Sequence, residues 1–166
     1  MDRPIVASLE EFLGESFRLY YPELYWDESS KDYGWIWQIG VELSKIHSPV
    51  VLVGHSFGAS MILKYLTENP YAKMIRGIFL PATPYWSGDD DWIQGIKLRD
   101  GFENNLCTEV PIFFYHCQDD QEVSITHLDH YMEHLPFATY RTIKSGGHQF
   151  ADDMSLVAKD ITALLG

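Results

Sequence analysis

The sequence has few of the residues that build crosslinked or nucleic-acid-binding proteins. Its 166 residues include only two cysteines, Cys107 and Cys117, which are too few for the disulfide framework of a small secreted domain. It carries 12 lysines and arginines against 24 aspartates and glutamates, a formal net charge of −12. That balance disfavours nucleic acid and anionic membrane surfaces as partners.

Long apolar runs are also missing from the sequence. No segment approaches the roughly 18 consecutive apolar residues that a membrane-spanning helix requires. Residues 1–4 contain no apolar stretch of the kind that a signal peptide has, and we therefore expect a cytoplasmic protein. Hydrophobic residues still make up 46% of the chain, which is enough for the core of a single domain covering residues 1–166.

The most informative stretch of the chain is residues 50–60. Four aliphatic residues at 50–53 predict a strand that is buried on both faces. The Gly-His-Ser-Phe-Gly sequence that follows fits the pattern G-x-S-x-G, in which a sharp strand-to-helix turn presents the serine, here Ser56. The crowding of such a turn favours glycine two positions before and two positions after the serine. An ordinary β–α turn that happens to contain a serine is the alternative interpretation.

The remaining chain alternates between strand-like and helix-like segments. Strands are predicted at 16–21, 50–53, 74–80, 110–116 and 140–144, and helices at 4–13, 32–47, 59–66, 124–135 and 154–165. Because the crossovers are long enough for parallel pairing, this order predicts an α/β fold in three layers, with a mostly parallel sheet between helices on both faces. Residues 85–109 predict a short, partly helical, cap-like excursion over one end of the sheet.

Acidic and basic side chains follow two of the predicted strands. Asp119 and Asp120 come just after strand 110–116, and His148 comes just after strand 140–144. Loops at the carboxyl ends of parallel strands share one edge of the sheet, so these residues can converge on Ser56. Acyl transfer by a serine needs a base and a carboxylate that orients this base. The spacing alone leaves both aspartates open as the carboxylate.

Three motifs together resemble the α/β-hydrolase superfamily: the Gly-His-Ser-x-Gly turn, an aspartate followed three residues later by an aliphatic residue, and Gly-Gly-His. The chain most resembles the small serine hydrolases related to the retinoblastoma-binding serine hydrolase and to YdeN-like bacterial proteins. The resemblance runs from about residue 15 to the end. It implies Ser56 as nucleophile, His148 as base and Asp120 as acid, with Asp119 one position out of register, and no cofactor.

The resemblance also implies a strand that this sequence does not show. Such enzymes normally open with a hydrophobic strand and a glycine loop that supplies the second oxyanion amide. Residues 4–13 and 16–21 correspond to the helix and strand that follow it, so either the start of the chain is truncated or misassigned, or the strand has been lost. The backbone N–H of Phe57 is then the one oxyanion donor identified. Because loss of one donor costs about 10² to 10³ in rate, we expect this polypeptide to be weakly active or inactive by itself.

Several aromatic and histidine residues have two possible roles. Trp86, Trp92 and Phe102 either wall an acyl pocket or simply cover the end of the sheet. The resemblance implies that His55, which directly precedes the serine, is structural and not the base.

Two clusters have metal-binding residue types, and we predict a metal site at neither of them. We interpret the aspartate triplet at 89–91 as a solvated loop. His127, His130 and His134 share one side of the predicted helix 124–135, and we expect that side to face solvent mainly.

The leading functional prediction is a serine hydrolase that cleaves a small-molecule acyl ester or thioester. The alternative is a non-catalytic or weakly active binding or scaffold protein with the same fold. A different reaction on this fold is a third possibility, although dehalogenation is disfavoured because it uses a carboxylate nucleophile. The pocket falls in the least patterned segment, 85–109, so the sequence assigns neither the individual substrate nor an oligomeric state.

Overall fold

A computed structural model describes residues 3–69 and 74–166 of the chain. The strands are β1 (Val50–Val53), β2 (Ile75–Pro81), β3 (Ile112–Cys117) and β4 (Thr139–Ile143), and the α-helices are α1 (Arg3–Leu13), α2 (Trp35–Ser44), α3 (Phe57–Glu68), α4 (Asp91–Gln94), α5 (Thr126–His134) and α6 (Ser155–Leu165). Short 3₁₀ turns lie at Gly14–Ser16, Phe102–Asn105 and Phe150–Asp152. In these ranges, no helix is both long and apolar enough to cross a membrane.

Within the described residues the strands form one parallel sheet in the order β1-β2-β3-β4. The register places Leu52 opposite Ile78 and Phe114 opposite Tyr140. Each strand runs parallel to the strand before it, so the chain must cross from one end of the sheet to the other between strands. The prediction of a parallel α/β sheet is therefore confirmed.

Alternation along the strands divides the core between the two faces of the sheet. On one face, Leu52, Ile78 and Phe114 pack against apolar residues of α3 and α5. On the other face, Phe79 and Tyr115 pack against apolar residues of α1 and α6. Helices therefore cover both faces, which confirms the three-layer prediction.

The strand predicted at 16–21 is wrong. Residues 17–27 contain no helix or strand, although Phe17 and Leu19 pack on the edge of the α1/α6 core. A segment of high strand propensity becomes a strand only when a neighbour pairs with its backbone groups. Strand β1 is an edge strand of the described sheet, and residues 17–27 do not pair with it.

Helix α2 begins later than the predicted helix 32–47. Gly34 precedes it in a left-handed conformation, with φ 75°. The carboxylate of Asp32 accepts hydrogen bonds from the N–H of Gly34 at 3.0 Å and from the hydroxyl of Ser30 at 2.7 Å. Asp32 therefore stabilises a turn that leads into the helix, which begins at Trp35.

The segment 85–109 is partly helical, as predicted. It contains α4 and the 3₁₀ turn Phe102–Asn105, and the rest is irregular. Ile93, Ile96 and Phe102 are buried. Apolar anchors of this kind fix an irregular segment to the domain, because burying each of them stabilises the folded chain by about 1.5–3 kcal/mol.

Candidate active site

Ser56 sits at a strained turn between β1 and α3. Its φ and ψ are 52° and −122°, a backbone region that non-glycine residues rarely occupy and that folded structure must hold in place. Strand β2 holds it: the N–H of Ser56 donates to Pro81 O at 3.0 Å, and the N–H of Gly54 donates to Phe79 O at 3.0 Å. The turn therefore has the geometry that the G-x-S-x-G motif predicts.

The two glycines of the motif differ in their surroundings. A Cβ atom at Gly54 would lie 2.7 Å from Ile62 Cδ1 and 2.8 Å from Ala59 Cα. A Cβ atom at Gly58 would meet only Trp35 Cζ3 at 3.6 Å, an ordinary contact. The expectation that crowding favours glycine at both positions is therefore correct for Gly54 and wrong for Gly58.

Ser56, His148 and Asp120 lie in one hydrogen-bonded chain. The imidazole of His148 has its Nε2 2.9 Å from Ser56 Oγ and its Nδ1 2.9 Å from Asp120 Oδ2. A carboxylate only accepts hydrogen bonds, so Nδ1 carries the proton and Nε2 accepts from the Ser56 hydroxyl. His148 and Asp120 are each 8% exposed, so bulk water competes little for these bonds.

The carboxylate of Asp120 is held on both oxygens. Its Oδ1 accepts the N–H groups of Glu122 and Val123, each at 2.9 Å, while Oδ2 faces His148. Burial raises the pKa of Asp120, but the bonds from Val123, His148 and Glu122 outweigh burial and leave this pKa below its usual value. The carboxylate is therefore ionised at neutral pH and can stabilise a positively charged imidazole.

The neighbouring Asp119 has different partners. Its Oδ2 accepts the N–H of Gly146 at 3.2 Å and its Oδ1 accepts the N–H of Gly147 at 2.8 Å. The two candidate carboxylates therefore have different partners. Asp120 contacts the imidazole of His148, and Asp119 contacts the backbone just before His148. No signal in the sequence pointed to this second role.

Phe57 is the first residue of α3. The N–H groups of a helical first turn have no acceptor within the helix, and they lie at the positive end of the helix dipole. This is the position expected of an oxyanion donor that follows a nucleophile.

Aromatic rings surround the side chain of Phe57. The ring centroids of Trp35, Trp26 and Trp86 lie 5.1, 5.2 and 6.3 Å from that of Phe57. Trp92 packs edge-to-face on Trp86 at 5.7 Å. Trp86 therefore contacts the ring of the residue that follows Ser56, and Trp92 is joined to this cluster through Trp86. Trp26 lies in an irregular segment that carries no periodic signal, so the sequence did not predict its position beside Phe57.

Phe102 lies elsewhere. It is 2% exposed in the core cluster between the sheet, α3 and α5. Its ring lies 5.2 Å from that of His134. The structure therefore groups Phe102 with the main core and not with the rings around Phe57.

The histidine side of α5 is partly open to solvent, with His130 exposed and His127 and His134 half-buried, and it also contacts Tyr85. The Tyr85 N–H donates to His127 Nδ1 at 2.8 Å, and the His130 ring stacks on Tyr85 at 4.9 Å. Burial lowers the pKa of His127, and the nearby His116 and His130 lower it further. Among the described residues, no group of three or more His, Cys, Asp or Glu residues is arranged to hold a metal ion.

The parallel sheet with a strained serine turn at its carboxyl edge defines the α/β-hydrolase class. The model of the Serine hydrolase family matches residues 13–153, and the chain belongs to this family. The protein is therefore an enzyme of the α/β-hydrolase fold, as the motif resemblance implied. No curated protein matches the chain in a sequence search.

Solved structures share the fold at low sequence identity. An α/β-superfamily protein from Xanthomonas campestris pv. campestris is 18% identical with a TM-score of 0.67, and the match covers 99% of this chain and 90% of that one. The ydeN gene product from B. subtilis is 18% identical with a TM-score of 0.65, covering 79% and 73%. Acyl-protein thioesterase 2 from Zea mays is 18% identical with a TM-score of 0.59, covering 90% and 71%.

Proposed function

We propose that the protein cleaves a small carboxylic ester or thioester by transferring its acyl group to Ser56. The observation that carries this proposal is the hydrogen-bonded chain from Ser56 Oγ through His148 to the buried carboxylate of Asp120. Serine hydroxyls are poor nucleophiles alone, and a neutral imidazole at hydrogen-bond distance is the group that activates them.

In the first half of the reaction, Ser56 Oγ attacks the substrate carbonyl carbon while His148 Nε2 takes the hydroxyl proton. The carbonyl oxygen becomes an oxyanion beside the N–H of Phe57. Asp120 stabilises the imidazolium form of His148. His148 then gives its proton to the departing alcohol or thiol, and the acyl group stays on Ser56.

In the second half, water replaces the leaving group. His148 Nε2 takes a proton from this water, and the resulting hydroxyl attacks the acyl carbon. Collapse of the second tetrahedral intermediate releases the carboxylic acid and returns the proton to Ser56 Oγ. Both halves use side chains of this chain and water, so the proposed reaction requires no cofactor.

The surroundings of Ser56 support an apolar acyl group. Phe57 follows the nucleophile, and the rings of Trp86 and Trp92 extend the aromatic surface from it. Apolar contact with such rings stabilises binding in proportion to the area removed from water. The Zea mays thioesterase shares the fold, which supports including thioesters in the proposed substrate class.

The test is hydrolysis of p-nitrophenyl acetate and butyrate by the wild type and by Ser56→Ala. We expect slow release of nitrophenol that depends on Ser56, with a matched control in Ser44→Ala, an exposed serine at the end of α2. Equal rates for the wild type and Ser56→Ala would show that the release is not a reaction of this site.

The second candidate is a weakly active member of this family that mainly binds acyl compounds. The observation that favours this second candidate is that β1 is an edge strand of the described sheet, with which residues 17–27 do not pair. No strand there carries a loop toward Ser56 for a second oxyanion amide, within the residues described. Such a protein would bind acyl compounds reversibly and acylate Ser56 only slowly.

A further inference from the structure

Two side chains outside the Ser56–His148–Asp120 chain hold the backbone that carries His148. They approach it from different elements: Asp119 follows β3, and His55 belongs to the turn after β1. Asp119 accepts hydrogen bonds from two consecutive N–H groups, and His55 contacts the carbonyl of His148 itself. The base is therefore fixed by its backbone as well as by its ring.

The backbone before His148 needs such support because it is made of two glycines. Gly146 has φ 146° and Gly147 has φ 62°, conformations that L side chains rarely adopt. Glycine reaches them without strain, but it also leaves the segment free to adopt many others. A Cβ atom at Gly146 would lie 3.1 Å from the backbone of Phe150, so a bulkier residue there would be strained and would have to displace Phe150.

The carboxylate of Asp119 supplies this stiffness with one oxygen for each glycine N–H. These two bonds lower the pKa of Asp119 below its usual value, so both of its oxygens accept hydrogen bonds at neutral pH. A carboxylate that receives two backbone N–H groups in a row defines the path of the chain between them.

His55 ties the same segment to the nucleophile. Its Nε2 lies 2.8 Å from His148 O, and because a carbonyl only accepts, His55 Nε2 carries the proton. Its ring lies 4.9 Å from the ring of His148 and 6.2 Å from that of Phe150. Since His55 directly precedes Ser56, this bond fixes the distance between the nucleophile's turn and the backbone of the base.

We propose that Asp119 and His55 are positioning residues, which hold residues 146–148 so that His148 Nε2 stays within hydrogen-bond reach of Ser56. The proposal rests on the proposed function. Such support matters because reactive groups must be held to a fraction of an ångström, and a displacement of about 1 Å costs roughly 100-fold in rate. Neither residue touches the reacting atoms.

The kinetic test compares variants that remove these bonds with variants that keep part of them. Asp119→Ala removes both acceptors, while Asp119→Asn keeps one amide oxygen; His55→Ala removes the donor, while His55→Gln keeps an amide N–H. For p-nitrophenyl butyrate we expect kcat to fall about 10- to 100-fold in the alanine variants, with KM nearly unchanged. The asparagine and glutamine variants should recover part of this loss. Asp129→Ala, at an exposed position on α5, is the matched control and should keep wild-type kcat.

A second measurement does not depend on turnover. The proton between His148 Nδ1 and Asp120 should give a downfield NMR resonance in the wild type and in Asp129→Ala, and this resonance should be weakened or lost in Asp119→Ala and His55→Ala. The amides of Gly146 and Gly147 should also exchange faster with solvent in Asp119→Ala, because their acceptor is gone. Circular dichroism establishes that each variant is folded, and Asp119→Asn carries the comparison if Asp119→Ala does not fold.

The outcomes separate the two proposals. If the resonance is lost in the alanine variants but the wild type does not hydrolyse esters, the positioning role stands and the proposed function fails. If Asp119→Ala and His55→Ala keep both the downfield resonance and the wild-type kcat, the positioning role is wrong, whatever the substrate.

Discussion

Adjacent aspartates at 119 and 120 follow the same strand, β3, but contact different parts of the loop that carries His148. Asp120 is buried and bonds to the ring of His148, whereas Asp119 is exposed and bonds to two backbone N–H groups. The spacing in the sequence made both candidates for the acid, and the motif resemblance favoured Asp120. Hydrogen bonds from the backbone leave no residue pattern, so the contacts of Asp119 were not predictable from the sequence.

The carboxyl groups of Asp119 and Asp120 make the free energy of unfolding depend on pH in the acid range. For Asp119 the N–H donors of Gly147 and Gly146 lower the pKa, and for Asp120 burial raises the pKa but the bonds from Val123, His148 and Glu122 lower it by more. A pKa below that of the unfolded chain, which is about 3.9, means that the unfolded state takes up protons first. The stabilisation is therefore complete above that value and is lost as the pH falls below about 4.

Urea unfolding between pH 7 and pH 3 measures this linkage. We expect the wild type to lose more stability over that range than Asp119→Asn, because the amide cannot be protonated there. The free energy of unfolding of Asp119→Asn should be lower than that of the wild type at pH 7, and the difference should shrink toward pH 3. A constant difference at every pH would rule out the carboxylate of Asp119 as its source.

At the scale of the element, the serine turn depends on close contact between β1 and α3. The backbone of Gly54 lies against Ala59, in the first turns of α3, and no side chain fits between them. The local pattern of an aliphatic run, a G-x-S-x-G sequence and a helical period predicted this element correctly. The same local reasoning failed for residues 16–21, because strand formation there depends on a pairing partner elsewhere in the chain.

Alanine at the two glycines of the motif should have opposite effects. Gly54→Ala forces Ala59 or Ile62 to move, and overpacking of this kind costs about 1–3 kcal/mol. Gly58→Ala adds a methyl group at ordinary contact distance within α3 and should be neutral or stabilising by up to about 1 kcal/mol. Urea unfolding of both variants tests the difference, and equal destabilisation would contradict it.

At the scale of the whole molecule, stability comes from two apolar cores, one on each face of the sheet. Helix α6 contributes Val157, Ala158 and Ile161 to the core that it shares with α1. The sequence pattern predicted both helices, at 4–13 and 154–165. It did not predict which apolar rings gather around Phe57, since Trp26 reaches that position from an irregular segment.

Two positions on α6 allow the loss of a buried side chain to be compared with the loss of an exposed one. Ile161 is 0% exposed and Leu165 is 44% exposed. We expect Ile161→Ala to lower the free energy of unfolding by about 2–5 kcal/mol and Leu165→Ala to change it by no more than about 0.5 kcal/mol. A small effect at Ile161 would mean that α6 does not pack on the sheet as described.

The expected rate of turnover is also a property of the whole molecule. Activation of Ser56 needs only the groups that the structure brings together, whereas fast turnover needs full stabilisation of the oxyanion. We propose the N–H of Phe57 as the oxyanion donor among the described residues, and with this donor alone we expect a rate about 10² to 10³ below that of an enzyme with two donors. A reagent can therefore modify Ser56 readily even though the turnover of a substrate is slow.

Reaction of the wild-type protein with a fluorophosphonate, followed by mass-spectrometric mapping of the adduct, tests most directly whether Ser56 is an activated nucleophile. We predict one adduct on Ser56, which is absent in Ser56→Ala, forms much more slowly in His148→Ala, and forms at the wild-type rate in Asp129→Ala. A folded wild-type protein that leaves Ser56 unmodified, or a His148→Ala variant that reacts as fast as the wild type, would contradict it.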